Sequence, residues 1–257
     1  MARVLRLAIL ECETTLPKAR AARGSYGDIF EHLFRLGLEI LGDAAADVQL
    51  QVSKWDVMNG KYPRIEDVDA IVMTGSYGTA FEDVPWIVAL VDYVKHALAS
   101  TDKKVVGICF GHQIIGRALG ADVNHSPGGW ELSVGSIALN EQGQKLLGSR
   151  SLELHQMHRD AVLTVPSGVT NLGSSATCPI QILYKPGRVL SFQGHPEFDE
   201  PINDELLNVE RNTFGEEAFQ DAIRRVDCPH DGVRLSSSII EFFLDSGKWK
   251  EREESRL

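Results

Sequence analysis

Cysteine is sparse in this 257-residue chain, and the four that occur, Cys12, Cys109, Cys178 and Cys228, form no C-x-x-C pair. That spacing argues against a zinc cluster and a disulfide framework, and leaves reduced thiols in a cytoplasmic setting as the expectation. Basic charge is also short: 26 Lys and Arg stand against 36 Asp and Glu, a net charge of −10. Such a field repels phosphates, and with no local basic patch nucleic acid is not an expected partner. No stretch approaches the ~18 consecutive apolar residues of a membrane span, so no membrane partner is expected either. The opening MARVLRLAILECE soon meets acids and lacks a small-residue cleavage site, so it reads as a first strand rather than a signal peptide. No repeat, low-complexity segment or linker divides the chain. Residues 1–257 are therefore expected to form one domain, with a charged tail at about 248–257 that frays.

What is there alternates in period. Val4 to Leu10 suits a buried strand, and after a loop around Pro17 and Gly24 the apolar residues Tyr26, Ile29, Phe30, Leu33, Ile40 and Leu41 recur at helical spacing. Ser25 stands where an N-cap belongs, with Asp28 near the positive end of the helix dipole. Strands are expected at Val48 to Val52 and Ala70 to Met73, and a helix from Pro85 with the stripe Trp86, Ile87, Leu90, Val91, Val94, Leu98. Lys104 to Cys109 then reads as a strand turning into a helix over Gly111 to Leu119. This β-α-β-β-α-β-α order implies an α/β fold with a mostly parallel sheet flanked by helices. The second half changes to short segments at Leu132 to Leu139, Val162 to Val165 and Ile180 to Gln193, the last broken by a Lys185-Pro186-Gly187-Arg188 turn. Antiparallel strands are expected there, followed by helices over Asn203 to Val226 and Ser236 to Leu244.

The chemistry concentrates in Val105-Val106-Gly107-Ile108-Cys109-Phe110-Gly111-His112-Gln113. A strand that turns sharply into a helix at a nucleophile needs small residues two before and two after it, and Gly107 and Gly111 meet that need. Helix N–H groups beside Cys109 would favour its thiolate, with the Phe110 N–H aimed at a developing oxyanion. A lone cysteine is more often a buried strand residue; the glycine spacing reverses that weighting. A base and a group to orient it are offered by Gln193-Gly194-His195-Pro196-Glu197, where His195 could take the thiol proton and Glu197 hold the ring. Gly75 and Ser76, after the Ile71 to Met73 run, could add a second oxyanion donor, although a plain turn explains them as well. His155 and His158 are three apart and could share one face, but no H-E-x-x-H pattern accompanies them and no metal is expected.

Together, G-I-C-F-G-H-Q, the later G-H-P-E and the loop T-G-S-Y-G-T-A-F-E-D-V-P-W-I resemble the class I glutamine amidotransferase family, in order from about Val4 to Phe198. The resemblance implies a flavodoxin-like open sheet with a small antiparallel addition, a Cys109, His195, Glu197 triad, and a thioester with a γ-glutamyl group. It implies that Gln113 holds the glutamyl part of the substrate, with Tyr77, Trp130, Glu131, Leu132 and Ser133 as further substrate-binding candidates and Glu131 as a partner for the α-ammonium. The loop and the segment Gly129-Trp130-Glu131-Leu132 look most like stand-alone γ-glutamyl peptidases and fungal and yeast amidotransferase-like proteins. The expected activity is hydrolysis of a γ-glutamyl amide or isopeptide, as in glutathione, its conjugates or glutamine, with no cofactor. Two alternatives stand beside it: a glutaminase subunit delivering ammonia to a synthase partner, and a non-catalytic binding protein on the same fold.

Overall fold

The computed structural model describes residues 3–245 and 249. Strand β1 (Arg3–Glu11) is followed by a short helix α1 (Pro17–Arg23) and by α2 (Tyr26–Leu41), then β2 (Val48–Asp56), β3 (Ala70–Met73), α3 (Pro85–Ser100), β4 (Lys104–Ile108) and α4 (Phe110–Ala118). The stretch expected as a loop around Pro17 is thus a helix. Pro17 sits in its first turn, where a missing N–H costs nothing, and Gly24 ends it at φ 85°. Ser25 and Asp28 make a full capping box on α2.

The second half runs β5 (Val123–His125), β6 (Glu131–Leu139), α5 (Glu141–Leu147), β7 (Ser151–His158), β8 (Asp160–Val162), β9 (Thr170–Asn171), β10 (Gly173–Ser174), β11 (Ile182–Lys185) and β12 (Val189–Phe192). Helices α6 (Glu200–Val209), α7 (Arg211–Phe214), α8 (Glu216–Ile223) and α9 (Gly232–Phe243) follow. The strand expected at Val162 to Val165 lies earlier, as β8, where it pairs with β5. Most of the tail expected to fray, 248 and 250–257, lies outside the described residues. Trp249 is described: it is buried and packs its ring against Tyr184 and Phe242.

The main sheet has the order β2-β1-β3-β4-β12-β11-β9, parallel from β2 through β12 and antiparallel beyond. The Pro186-Gly187 turn joins β11 to β12, so the predicted hairpin widens this sheet rather than standing apart from it. Two small antiparallel sheets, β10-β6-β7 and β5-β8, are added. Because side chains alternate along a strand, Leu5, Leu7 and Ile9 of β1 face one side and Ala8 and Leu10 the other. The first set packs under Phe30, Leu33 and Phe34 of α2 and Leu235, Ile239 and Phe242 of α9. The second packs under Ile87, Leu90, Val91 and Val94 of α3 and Ile114 and Ile115 of α4. Both faces of the parallel strands are therefore covered, and only their ends are open to build a site. Order 2-1-3-4 places a topological switch between β1 and β3, the place where open α/β sheets bind ligands at the carboxyl ends of their strands.

Candidate active site

Four strands end at one place. Cys109 follows β4, the Thr74 to Gly78 loop follows β3, His195 comes three residues after β12, and Glu13 two residues after β1. Cys109 stands at φ 50°, ψ −103°, a backbone region that costs an ordinary residue roughly 1–3 kcal/mol. Close backbone packing holds it there. A Cβ on Gly107 would lie 2.4 Å from the carbonyl carbon and oxygen of Gly111, and one on Gly111 would lie 2.7 Å from the Met73 carbonyl oxygen. The strand and helix thus touch through bare backbone on both sides of the thiol. Phe110 opens α4, so no preceding helical turn supplies an acceptor for its N–H.

The His195 Nδ1 lies 2.8 Å from Glu197 Oε1, and both side chains are buried. The Cys109 thiol lies beside the same ring, where both line one lobe of a cleft. Burial alone would pull the imidazolium down, but the Glu197 carboxylate and Cys109 outweigh it and raise His195 well above its ordinary range. Phe198 stacks on the ring at 3.9 Å, and the His195 N–H donates to the His155 carbonyl at 2.8 Å, so ring and backbone are both fixed. Gly75 approaches so closely that a Cβ there would meet His195 Cε1 at 2.8 Å. The loop carrying Gly75 and Ser76 is pinned from β1: the Thr74 hydroxyl accepts from the Cys12 N–H at 2.9 Å, and Glu13 accepts from the Tyr77 N–H at 3.2 Å.

A two-lobed cleft meets at Cys109, Ser76, Tyr77 and Met157. One lobe contains Glu13, Tyr26, Gly75, His195, Phe198 and Leu206; the other contains Gln113, Trp130, His158, Arg159 and Asp160. The Gln113 amide donates to the Asp160 carbonyl at 2.8 Å. Glu131, Leu132 and Ser133 are not among the residues that face either lobe. The Glu131 carboxylate accepts from Gln181 at 2.6 Å, Thr177 at 2.6 Å and Ser175, and pairs with His158 at 2.8 Å. Leu132 is buried against Leu207 and Phe219. Ser133, also buried, has φ 62°, and with Cys109 and Asp245 completes the non-glycine positive-φ residues among those described.

His155 and His158 do not share a face. They lie on β7, where residues three apart point to opposite sides. His155 contacts Asn203 at 2.7 Å and His158 turns to Glu131. Glu131, His158 and Cys178 bring potential metal-ligating atoms within 4.8 Å of one another, but protein hydrogen bonds already occupy that carboxylate. Glu13, Tyr26, Met157, Arg159 and Phe198 escaped the sequence reading as site residues. Only Arg159 and Asp160, beside His158, carried a signal that could have drawn attention to them.

The class I glutamine amidotransferase family matches residues 39–208. The chain belongs to that family. A glutamine amidotransferase-like protein of Schizosaccharomyces pombe is 36% identical over 247 residues, covering 93% of this chain and 98% of that one. Gamma-glutamyl peptidase 2 of Arabidopsis thaliana is 34% identical over 189 residues, 68% of this chain and 76% of its own. A glutamine amidotransferase of Thermotoga maritima superposes with a TM-score of 0.72 at 17% identity, covering 94% of this chain and 99% of that one, a likeness of fold. The expected flavodoxin-like class I architecture is therefore observed, including the parallel core and its antiparallel additions.

Proposed function

We propose that this class I amidotransferase-fold protein is a cysteine hydrolase that cleaves a γ-glutamyl amide or isopeptide bond without a synthase partner. The observation that carries the reading is the strained Cys109 set beside a His195 whose Nδ1 lies 2.8 Å from Glu197. The Cys109 thiolate attacks the γ-carbonyl carbon, and the oxyanion that forms takes hydrogen bonds from the Phe110 N–H and from Gly75 or Ser76. As the C–N bond breaks, His195 gives its proton to the departing amine, leaving a γ-glutamyl thioester and a neutral imidazole. Water then attacks the thioester, His195 takes its proton, and glutamate and the thiolate are released. Glu197 keeps the ring oriented and its positive form favoured throughout.

Gln113 and Arg159 lie in the lobe where the glutamyl end would sit, and Arg159 suits its α-carboxylate. Tyr77 and Trp130 wall that lobe. Glu131 acts one step back by holding His158. The resemblance to a protein named γ-glutamyl peptidase at 34% identity supports the substrate class. Incubation of the purified protein with glutamine, glutathione and γ-glutamyl amides, with products identified by mass, tests the reading. Release of glutamate by the wild type but not by Cys109→Ala is expected. Activity that arises only after a cell extract is added would favour the glutaminase-subunit reading instead.

A further inference from the structure

The cleft is asymmetric about Cys109, and the asymmetry bears on the leaving group. The departing nitrogen must lie within reach of the acid that protonates it, and His195 faces only one of the two lobes. That lobe is walled by Tyr26, Phe198, Leu206 and Met157, with one carboxylate, Glu13. None of the described residues lining it is a lysine or arginine. Its one cation, the His195 ring, is matched by Glu197 and Cys109. Arg23, the arginine at the end of α1, is paired with Asp199. At the waist of the cleft, burial first and then the carboxylates of Glu210, Glu13 and Glu205 push the Tyr77 hydroxyl upward. The opposite lobe carries Arg159 beside the carboxylates of Asp160 and Glu210, so a cation that could meet a substrate carboxylate lies at that end of the cleft and not at the His195 end.

Resting on the γ-glutamyl reading above, we infer that the amine released on the His195 side is an apolar or aromatic amine without a carboxylate, and that Glu13 selects against amino-acid and peptide leaving groups. An apolar body suits the walls that Tyr26, Phe198, Leu206 and Met157 give this lobe. A carboxylate beside the scissile nitrogen would instead face Glu13 with no cation to neutralise it, and like charges in a partly desolvated cleft repel strongly.

The matched pair γ-glutamyl-phenethylamide and γ-glutamyl-phenylalanine differs only by that carboxylate, and glutathione adds a peptide leaving group. With the wild-type protein, kcat/KM is expected to be about tenfold higher for the phenethylamide than for either anionic substrate. Glu13→Gln keeps an acceptor for the Tyr77 N–H and is expected to reduce that ratio to about threefold or less. The ratio within one variant is the readout, because a disturbed loop would slow both substrates together. Rising salt should narrow the wild-type ratio too, an arm that needs no variant. γ-Glutamyl-phenylalanine or glutathione turned over as fast as the phenethylamide, or a ratio unmoved by both Glu13→Gln and salt, overturns the inference and leaves the γ-glutamyl reading standing. Failure to cleave any of the three, or glutamine, overturns that reading and the inference with it.

Discussion

Gly107→Ala is the sharpest test of how the nucleophile is presented. The new Cβ would sit 2.4 Å from two backbone atoms of Gly111, whereas ordinary contact begins near 3.4 Å. Strand β4 and helix α4 must therefore separate by about 1 Å, and no flexible side chain is available to yield. Overpacking of this kind costs about 1–3 kcal/mol, and a backbone-on-backbone clash belongs at the upper end. Cys109 lies two residues along the same turn, so it shifts relative to His195 and Phe110, and a misplacement of about 1 Å lowers turnover about a hundredfold. Gly135→Ala is the control, since its Cβ would meet only Gln156 Cγ at 3.5 Å. Urea unfolding and turnover of a γ-glutamyl amide, measured on both variants, should show a large loss in both quantities for Gly107→Ala and little change for Gly135→Ala. If Gly107→Ala unfolds within about 0.5 kcal/mol of the wild type and retains its turnover, the close-packed elbow is not what positions the thiol.

Iodoacetamide at neutral pH should label Cys109 ahead of Cys12 and Cys178, whose thiols burial pushes up to about 12; mass mapping of the adducts that finds either of those first would contradict the assignment. Acid should destabilise the fold well above the carboxylate range, because burial holds His112 and His155 down to about 3 against an unfolded value near 6.5. Their neutral forms stabilise the protein above pH 6.5, and that contribution drains as pH falls toward 3, about 4 kcal/mol for the pair between pH 7 and 5. His195, raised rather than lowered, works in the opposite sense, but it is one group against two, so urea midpoints should report a net loss between pH 7 and 5, not a gain. N-acetylation of the substrate's α-ammonium should lower kcat/KM by about 10- to 100-fold, since it removes the positive charge that the Asp160 and Glu210 carboxylates of that lobe attract and adds bulk beside them; equal rates on both forms would remove the glutamyl pocket from the reading.

The first half of the chain was legible because its signals are local. Ala70 to Met73 and the helix starting at Pro85 emerge at the expected residues, since a four-residue apolar run and a first-turn proline need no distant partner. The glycines around Cys109 were legible for the same reason, as each reports a missing side chain within one turn. Strand β7 was not, because its alternation is broken by the consecutive buried residues Leu154, His155 and Gln156, which only its pairing with β6 explains. The His195 lobe of the cleft was hidden for a further reason. Glu13, Tyr26, Phe198 and Leu206 come from four separate segments, and each alone reads as a solvated acid or a core apolar residue.

Sheet register is what converts those local signals into a site. Met73 pairs with Gly107 across the parallel β3–β4 ladder, and continuing both strands by two residues brings Gly75 level with Cys109. On the other side Phe192 pairs with Ile108, and Gln193 comes level with Cys109, so His195 overhangs the thiol from two residues beyond. A slip of one residue in either ladder would turn every side chain of that strand to the opposite face. Because both faces are packed, under Phe30 and Phe34 on one side and Leu90 and Val94 on the other, such a slip would expose or bury the wrong set along the whole strand. The hydrophobic cost of shifting the core thus also fixes the approach of Gly75 and His195 to Cys109. The strain at Cys109 is tolerated because relieving it would require moving strands that the core holds in place.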